Sequence, residues 1–167
     1  MALRPVIGVI GSGNELSQEQ SQLACEVGKL IALRGAALVC GGLSGVMEAA
    51  AKGAHENNGV VIGILPTVNK SDANQYVDIP IPTGLGSARN ALVVNTADVL
   101  IAFPGAFGTL SEMALALDAD KSIVFLPGAW NLRKAGDIGS KRVLEAFDAK
   151  QAVGLALGEI GKKLIKD

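Results

Sequence analysis

Short runs of apolar residues alternate with longer stretches of helical period along this chain, and glycine stands at most of the joints. Residues 5–10 end in VIGVI, apolar on both faces, the pattern of a central parallel strand, and the run stops at Gly11-Ser12-Gly13. Ser17-x-x-Gln20 then reads as a capping box, and Leu23, Val27, Leu30 and Leu33 carry a helix that Gly35 ends. Residues 36–40 form a second strand, closed by Gly41-Gly42. A second helix is predicted over about 44–58, with Gly59 placed to terminate it. Residues 60–65 give a third strand, stopped by Pro66, and 67–73 form a polar loop. Residues 76–81 are extended, but Pro80 and Pro82 restrict them to a short or edge strand. Gly84-Leu-Gly86-Ser87 opens a helix to about Thr96, residues 98–103 (DVLIAF) are a buried strand, and 104–109 lead into a helix ending near Leu117. One more strand is expected at 122–126 and a surface loop at 136–139. Asp148-x-x-Gln151 caps a final helix to about Ile165.

Strand and helix thus take turns through the whole chain, with no repeat and no boundary. This order predicts one α/β domain over residues 1–167: a Rossmann-like, doubly wound parallel sheet with helices on both faces.

Composition narrows the function. Hydrophobic residues make up 49% of the 167 and charged ones 19%, which excludes disorder. A formal net charge of -1 leaves no basic excess to follow a nucleic-acid backbone. No apolar run approaches the roughly 18 residues of a membrane span, and the N-terminus leads directly into a strand, so no leader is expected. Cys25 and Cys40 fit neither a disulfide framework nor a zinc spacing. They read as small core residues in a reducing cytoplasm. With 21 glycines and only 4% aromatics, the core must be closely packed Val, Ile, Leu and Ala.

The candidate chemistry lies in four glycine-bearing turns at strand ends. They comprise Gly11 and Ser12; Gly41, Gly42, Ser44 and Gly45; Gly86 and Ser87; and Gly105, Ala106, Gly108 and Thr109. The last three lead almost directly into helices, where free N–H groups and the positive end of the macrodipole attract a phosphate-bearing small molecule. Tight βα turns alone would account for one such glycine set; three, each followed by a helix, point instead to an anion site. The first turn lacks the third glycine of a dinucleotide fingerprint, and Cys40-Gly41-Gly42 stands where an acidic ribose ligand belongs, so NAD is disfavoured. No Walker lysine follows any turn.

Arg89 is expected in the first turn of its helix, where a cation opposes the dipole. A bound anion would explain it, as would a surface ion pair. Thr109-x-x-Glu112 reads as a capping box, and Glu112 equally as a carboxylate beside the anion site, kept ionised near a helix start. Glu48 is a weaker candidate, and His55 is expected to face solvent. No metal cluster or hydrolase triad is apparent.

Gly41-Gly-Leu-Ser-Gly-Val-Met-Glu48, Gly59-x-x-Ile-Gly-Ile-Leu-Pro66 and Pro104-Gly-Ala-Phe-Gly-Thr-Leu-Ser-Glu112 resemble the lonely-guy family, once described as lysine decarboxylases. That resemblance implies a nucleoside 5′-monophosphate phosphoribohydrolase with Arg89 and Glu112 as catalytic residues. Two departures stand out: Ala106 replaces a signature glycine, and Asn90 replaces the lysine after the arginine. Residues 77–89 (VDIPIPTGLGSAR) are more similar to a sister branch, the molybdenum-cofactor carrier proteins. That branch implies a carrier with the molybdenum cofactor (molybdopterin) as bound cargo. Both branches imply a homo-oligomer, dimer or tetramer. Hydrolysis needs water activation and a leaving-group acid, and the sequence offers no evident acid. A carrier needs only affinity, which gives it a slight edge; a nucleotide-binding module without turnover stays open.

Overall fold

The computed structural model of the chain describes residues 3–130, 132 and 143–164. The surface loop expected at 136–139 and the helix end near Ile165 lie outside them. Within the described residues the buried runs form β1 (Val6–Ile10), β2 (Ala37–Cys40), β3 (Val60–Leu65), β4 (Ile79–Pro82), β5 (Val99–Ala102), β6 (Ile123–Phe125) and β7 (Val143–Glu145). Between them run α1 (Gln18–Leu33), α2 (Val46–His55), α3 (Asn90–Thr96) and α4 (Phe107–Asp118), and α5 (Ala149–Leu164) follows β7.

All neighbouring strands pair in parallel, in the order β4-β3-β2-β1-β5-β6-β7. The chain steps outward from β1 to the Pro-bearing edge strand β4, then crosses back to β5 and steps outward the other way. β1 and β5 are therefore the strands at which the winding reverses. Ile7 sits opposite Leu38 on one side and Val99 on the other. Connections leaving two such strands diverge to opposite faces, so a crevice opens above their C-terminal ends.

Both faces of the sheet are covered, which is why the strands are apolar on both. Ile7, Val9, Leu38 and Ile101 point into a core shared with α1, α2 and α5. Ile10, Val39, Leu100 and Ala102 pack on the other side with Val93, Val94 and Met113 from α3 and α4. Lys121 fixes the end of α3 to the start of β6, its ammonium donating to the carbonyls of Val94, Asn95 and Ala97 at 2.7, 2.9 and 2.5 Å.

The capping box at α1 forms in both directions, Gln20 N–H to Ser17 Oγ and Ser17 N–H to Gln20 Oε1, each 3.2 Å. At α5 Asp148 accepts from Gln151 N–H at 2.7 Å, but the Gln151 side chain accepts from Phe147 instead, at 2.9 Å. Other expectations need correction. α2 is shorter than 44–58, and the left-handed residue beyond it is Asn58 (φ 57), not Gly59. Gly59 is needed for proximity: a Cβ there would lie 2.6 Å from that of Ala32 on α1. Residues Gly86–Arg89 make a 3-10 turn, so α3 starts only at Asn90. β7 escaped sequence reading because three residues with mixed burial carry no periodicity.

Glycine also sets the distance between α1 and α2. A Cβ on Gly28 would overlap the Ala50 carbonyl, and one on Gly53 the Cys25 carbonyl. Gly53→Ala is therefore expected to cost about 1–3 kcal/mol through overpacking. Gly154→Ala, exposed in α5 with open space around it, should gain roughly 0.5–1 kcal/mol from helix propensity. Urea midpoints of the two variants check this, and shifts of the same sign would contradict it.

Candidate functional site

The turns after β1 and β5 and the start of α2 are tied together by their backbones. Ser12 N–H donates to the Pro104 carbonyl at 3.0 Å, and Val46 N–H donates to the Ser12 carbonyl at 2.9 Å. A Cβ on Gly11 would come within 2.8 Å of both Phe103 and Val46, and Gly45 holds φ +67 against the Asn14 carbonyl. The first N–H of α2 is thus engaged by Ser12. The start of α4 differs: Ala106 is its N-cap and provides no side-chain cap. The N–H groups of Phe107, Gly108 and Thr109 precede the bond from Leu110 N–H to the Ala106 carbonyl, 3.1 Å, so they lack intrahelical acceptors.

Arg89 ends the 3-10 turn and is buried, 8% exposed, so it is no surface ion pair. Its guanidinium occupies the space a Cβ on Gly41 would take. Nη1 donates to Glu112 Oε1 at 3.5 Å, the outer limit of a hydrogen bond, and Nε has no partner among the described residues. Glu112 does not close a capping box. α4 begins at Phe107, so Thr109 and Glu112 both lie inside the helix, and Thr109 packs against Gly105 instead. Glu112 faces Arg89 and is buried, 7% exposed. Burial pushes its carboxyl up to about 7, with Arg89 pulling the other way. The expectation of a carboxylate kept ionised by the helix start fails because burial outweighs the single cation paired with it.

A cleft of about 210 Å³ opens here, above β1 and β5. Gly11, Ser12, Gly41, Arg89, Ala106, Gly108, Thr109 and Glu112 line it. Other residues singled out from sequence lie elsewhere. Gly42 (φ +74) packs on Leu65, Gly105 lies behind Thr109, and Gly86 lies in the 3-10 turn. Ser87 faces an outer groove between α3 and α4. Ser44 and Gly45 line an adjoining cleft together with Glu48. Ser44 Oγ donates to the Gly13 carbonyl at 2.6 Å. His55 is half exposed and bonds Asp78 at 2.9 Å. Cys40 is buried beside the site, and burial pushes its thiol up to about 11.

The sequence reading did not place Asn14, Met47 and Asn90 in the cleft. Asn90 donates from Nδ2 to Ser111 Oγ at 2.8 Å and to the Gly108 carbonyl at 3.4 Å. Ser111 Oγ donates in turn to the Gly108 carbonyl at 2.7 Å. Asn90 thereby ties the start of α3 to the first turn of α4. Its only sequence signal was adjacency to Arg89.

The profile of the SLOG cluster4 family matches residues 4–156. The fold is similar to the molybdenum cofactor binding protein of the phototrophic bacterium Rippkaea orientalis, with TM-score 0.88, 38% identity, and 96% of this chain covering 99% of that one. It is also similar to the molybdenum cofactor carrier protein of Chlamydomonas reinhardtii, with TM-score 0.86, 37% identity, and 95% and 99% covered. A probable cytokinin riboside 5′-monophosphate phosphoribohydrolase of Oryza sativa is 32% identical over 66% of this chain, and the match spans 50% of that protein's length.

The pairing of Arg89 with Glu112 generates a pH dependence. An anion at Arg89 is repelled by an ionised Glu112 and tolerated by a protonated one. Sulfate keeps its charge between pH 6 and 8, whereas the Glu112 carboxyl at about 7 changes state. Calorimetry is expected to show sulfate binding about 10-fold tighter at pH 6 than at pH 8, the limit for one coupled proton whose group titrates near 7 in the free protein. Glu112→Gln should flatten the profile. The same shift acts on folding: the folded chain retains a proton that the unfolded chain loses near 4.5, so stability falls as pH rises from about 4.5 to 7. Sulfate affinity independent of pH in the unaltered protein would refute the coupling.

Proposed function

The chain belongs to the SLOG cluster4 family, and we propose that it binds the molybdenum cofactor, a pterin bearing a phosphate ester, as a carrier that does not turn its cargo over. The observation that carries this reading is Arg89, a buried guanidinium with an unpartnered Nε, in the same cleft as Gly108 and Thr109 at the start of α4. A phosphate there accepts from both and supplies the missing partner. Asn90 supports a carrier over a hydrolase. Its amide is engaged with Ser111 and Gly108, where the hydrolase signature has a lysine. The likeness to binding and carrier proteins over nearly the whole chain points the same way.

A second reading, hydrolysis of a nucleoside 5′-monophosphate at its glycosidic bond, is favoured by Glu112. A carboxyl near 7 exchanges protons readily at neutral pH, as acid–base catalysis requires. In either case we place the protein in the cytoplasm, acting on a small molecule and not on nucleic acid. Among the described residues no helix is long and apolar enough to cross a membrane. The outer groove between α3 and α4, with Ala88, Ala91, Ala114 and half-exposed Leu115, supports a homo-oligomer by offering an apolar face to a second copy.

Mass spectrometry of small molecules released from the purified protein is expected to find a phosphorylated pterin. Incubation with AMP should release no free base above background. Turnover near the enzyme median of about 10 s⁻¹ would replace the carrier reading with the hydrolase one.

Arg89→Ala should weaken sulfate binding about 10-fold or more, since a charge-assisted hydrogen bond contributes roughly 1.5–3 kcal/mol. The circular dichroism spectrum should stay native, because Glu112 readily takes up a proton once its cation is gone. Undiminished sulfate affinity in this variant would remove Arg89 from the anion site.

A further inference from the structure

The anion cleft is too small for a whole ligand. Its volume of about 210 Å³ falls below the roughly 300–1,000 Å³ of small-molecule sites. A second cleft of about 480 Å³ adjoins it, and Gly13 and Asn14 line both. The recess beside Trp130 and Phe147 has no lining residue in common with the anion cleft. A ligand with its phosphate at Arg89 therefore reaches the second cleft by passing over Gly13 and Asn14.

The second cleft carries charge of both signs, the carboxylates of Glu15 and Glu48 against the ammonium of Lys52. Glu48 and Lys52 stand one turn apart on α2 and both line it, with Tyr76 contributing an aromatic ring. Glu48 has no hydrogen-bond or ion-pair partner among the described residues, and Lys52 has only Glu56, at 4.0 Å. A carboxylate and an ammonium four residues apart on one helix face present acceptor oxygens and a donor to the same cleft. Its complement is a flat ring edge carrying a carbonyl, an N–H and an amino group in line.

We infer that this second cleft holds the ring of the ligand and selects a 2-amino-4-oxopyrimidine edge, found in guanine and in pterins, with Glu48 accepting from the N–H and amino groups and Lys52 donating to the carbonyl. The inference rests on the phosphate reading above and deepens it. Adenine presents the opposite pattern: its amino group faces Lys52, and its unprotonated ring nitrogen faces Glu48. Both contacts are then mismatched, and each charge-assisted hydrogen bond that is lost weakens binding about 10-fold.

The test is calorimetric binding of sulfate, AMP, IMP, GMP and 6-hydroxymethylpterin monophosphate to the full chain. GMP or the pterin ester is expected to bind about 10-fold more tightly than IMP, which lacks the amino group, and more tightly still than AMP. Whichever of the two binds more strongly identifies the source of the shared edge. Glu48→Gln should reduce the difference between GMP and AMP to less than about 3-fold. Sulfate binding with equal affinity for GMP, IMP and AMP overturns the ring-edge inference and leaves the phosphate reading standing. Failure of sulfate to bind at all overturns the phosphate reading itself, and this inference falls with it. A GMP preference that survives Glu48→Gln removes Glu48 from recognition and overturns the assignment.

Discussion

The Arg89 guanidinium is nine-tenths withdrawn from water and has one partner at 3.5 Å. A buried charge is costly unless it is paired and fully hydrogen-bonded, and this one has a single long ion pair and an Nε without a partner among the described residues. The rest of the site can be understood as what makes that placement tolerable. Gly41 leaves the volume the guanidinium needs. Glu112 provides a negative charge when ionised, and α4 directs its first N–H groups toward the same space.

Holding that arrangement depends on close backbone packing. The glycines do two different jobs. At Gly42 and Gly45 the backbone takes positive φ values that favour glycine. At Gly11, Gly28, Gly41 and Gly53 the requirement is space, because a Cβ would meet a neighbouring strand, helix or side chain. Both jobs serve one end: α2, the turn after β1 and the turn after β5 lie close enough to share hydrogen bonds, so the cleft has fixed walls. The sheet supplies the frame, since only the reversal of winding at β1 and β5 brings those turns side by side.

Glu112 shows how one side chain can serve two functional readings. A carboxyl near 7 permits an anion to bind when protonated and could exchange protons with a substrate. Its surroundings, fixed by the tertiary fold, set that charge state. Asn90 holds α3 to α4 with a neutral amide, and Ala106 adds a methyl group at the N-cap of α4, where the hydrolase signature has glycine.

Local pattern alone determined most of the framework. Six of the seven described strands, the parallel order, the Pro-bearing edge strand and the clustering of glycine turns at strand ends were legible, because each is written in periodicity, capping residues or backbone-restricting residues within a few positions. Arg89 and Glu112 could be nominated, but their relationship could not. They lie 23 residues apart and meet only when α3 and α4 pack on the same face of the sheet. Thr109 and Glu112 have the spacing of a capping box, and only the point at which α4 begins decides that they do not form one. The same holds for the charge state of Glu112, the network around Asn90 and the adjoining cleft at Glu48. Burial, dielectric and cavity shape come from non-neighbouring segments, so tertiary structure alone could set them.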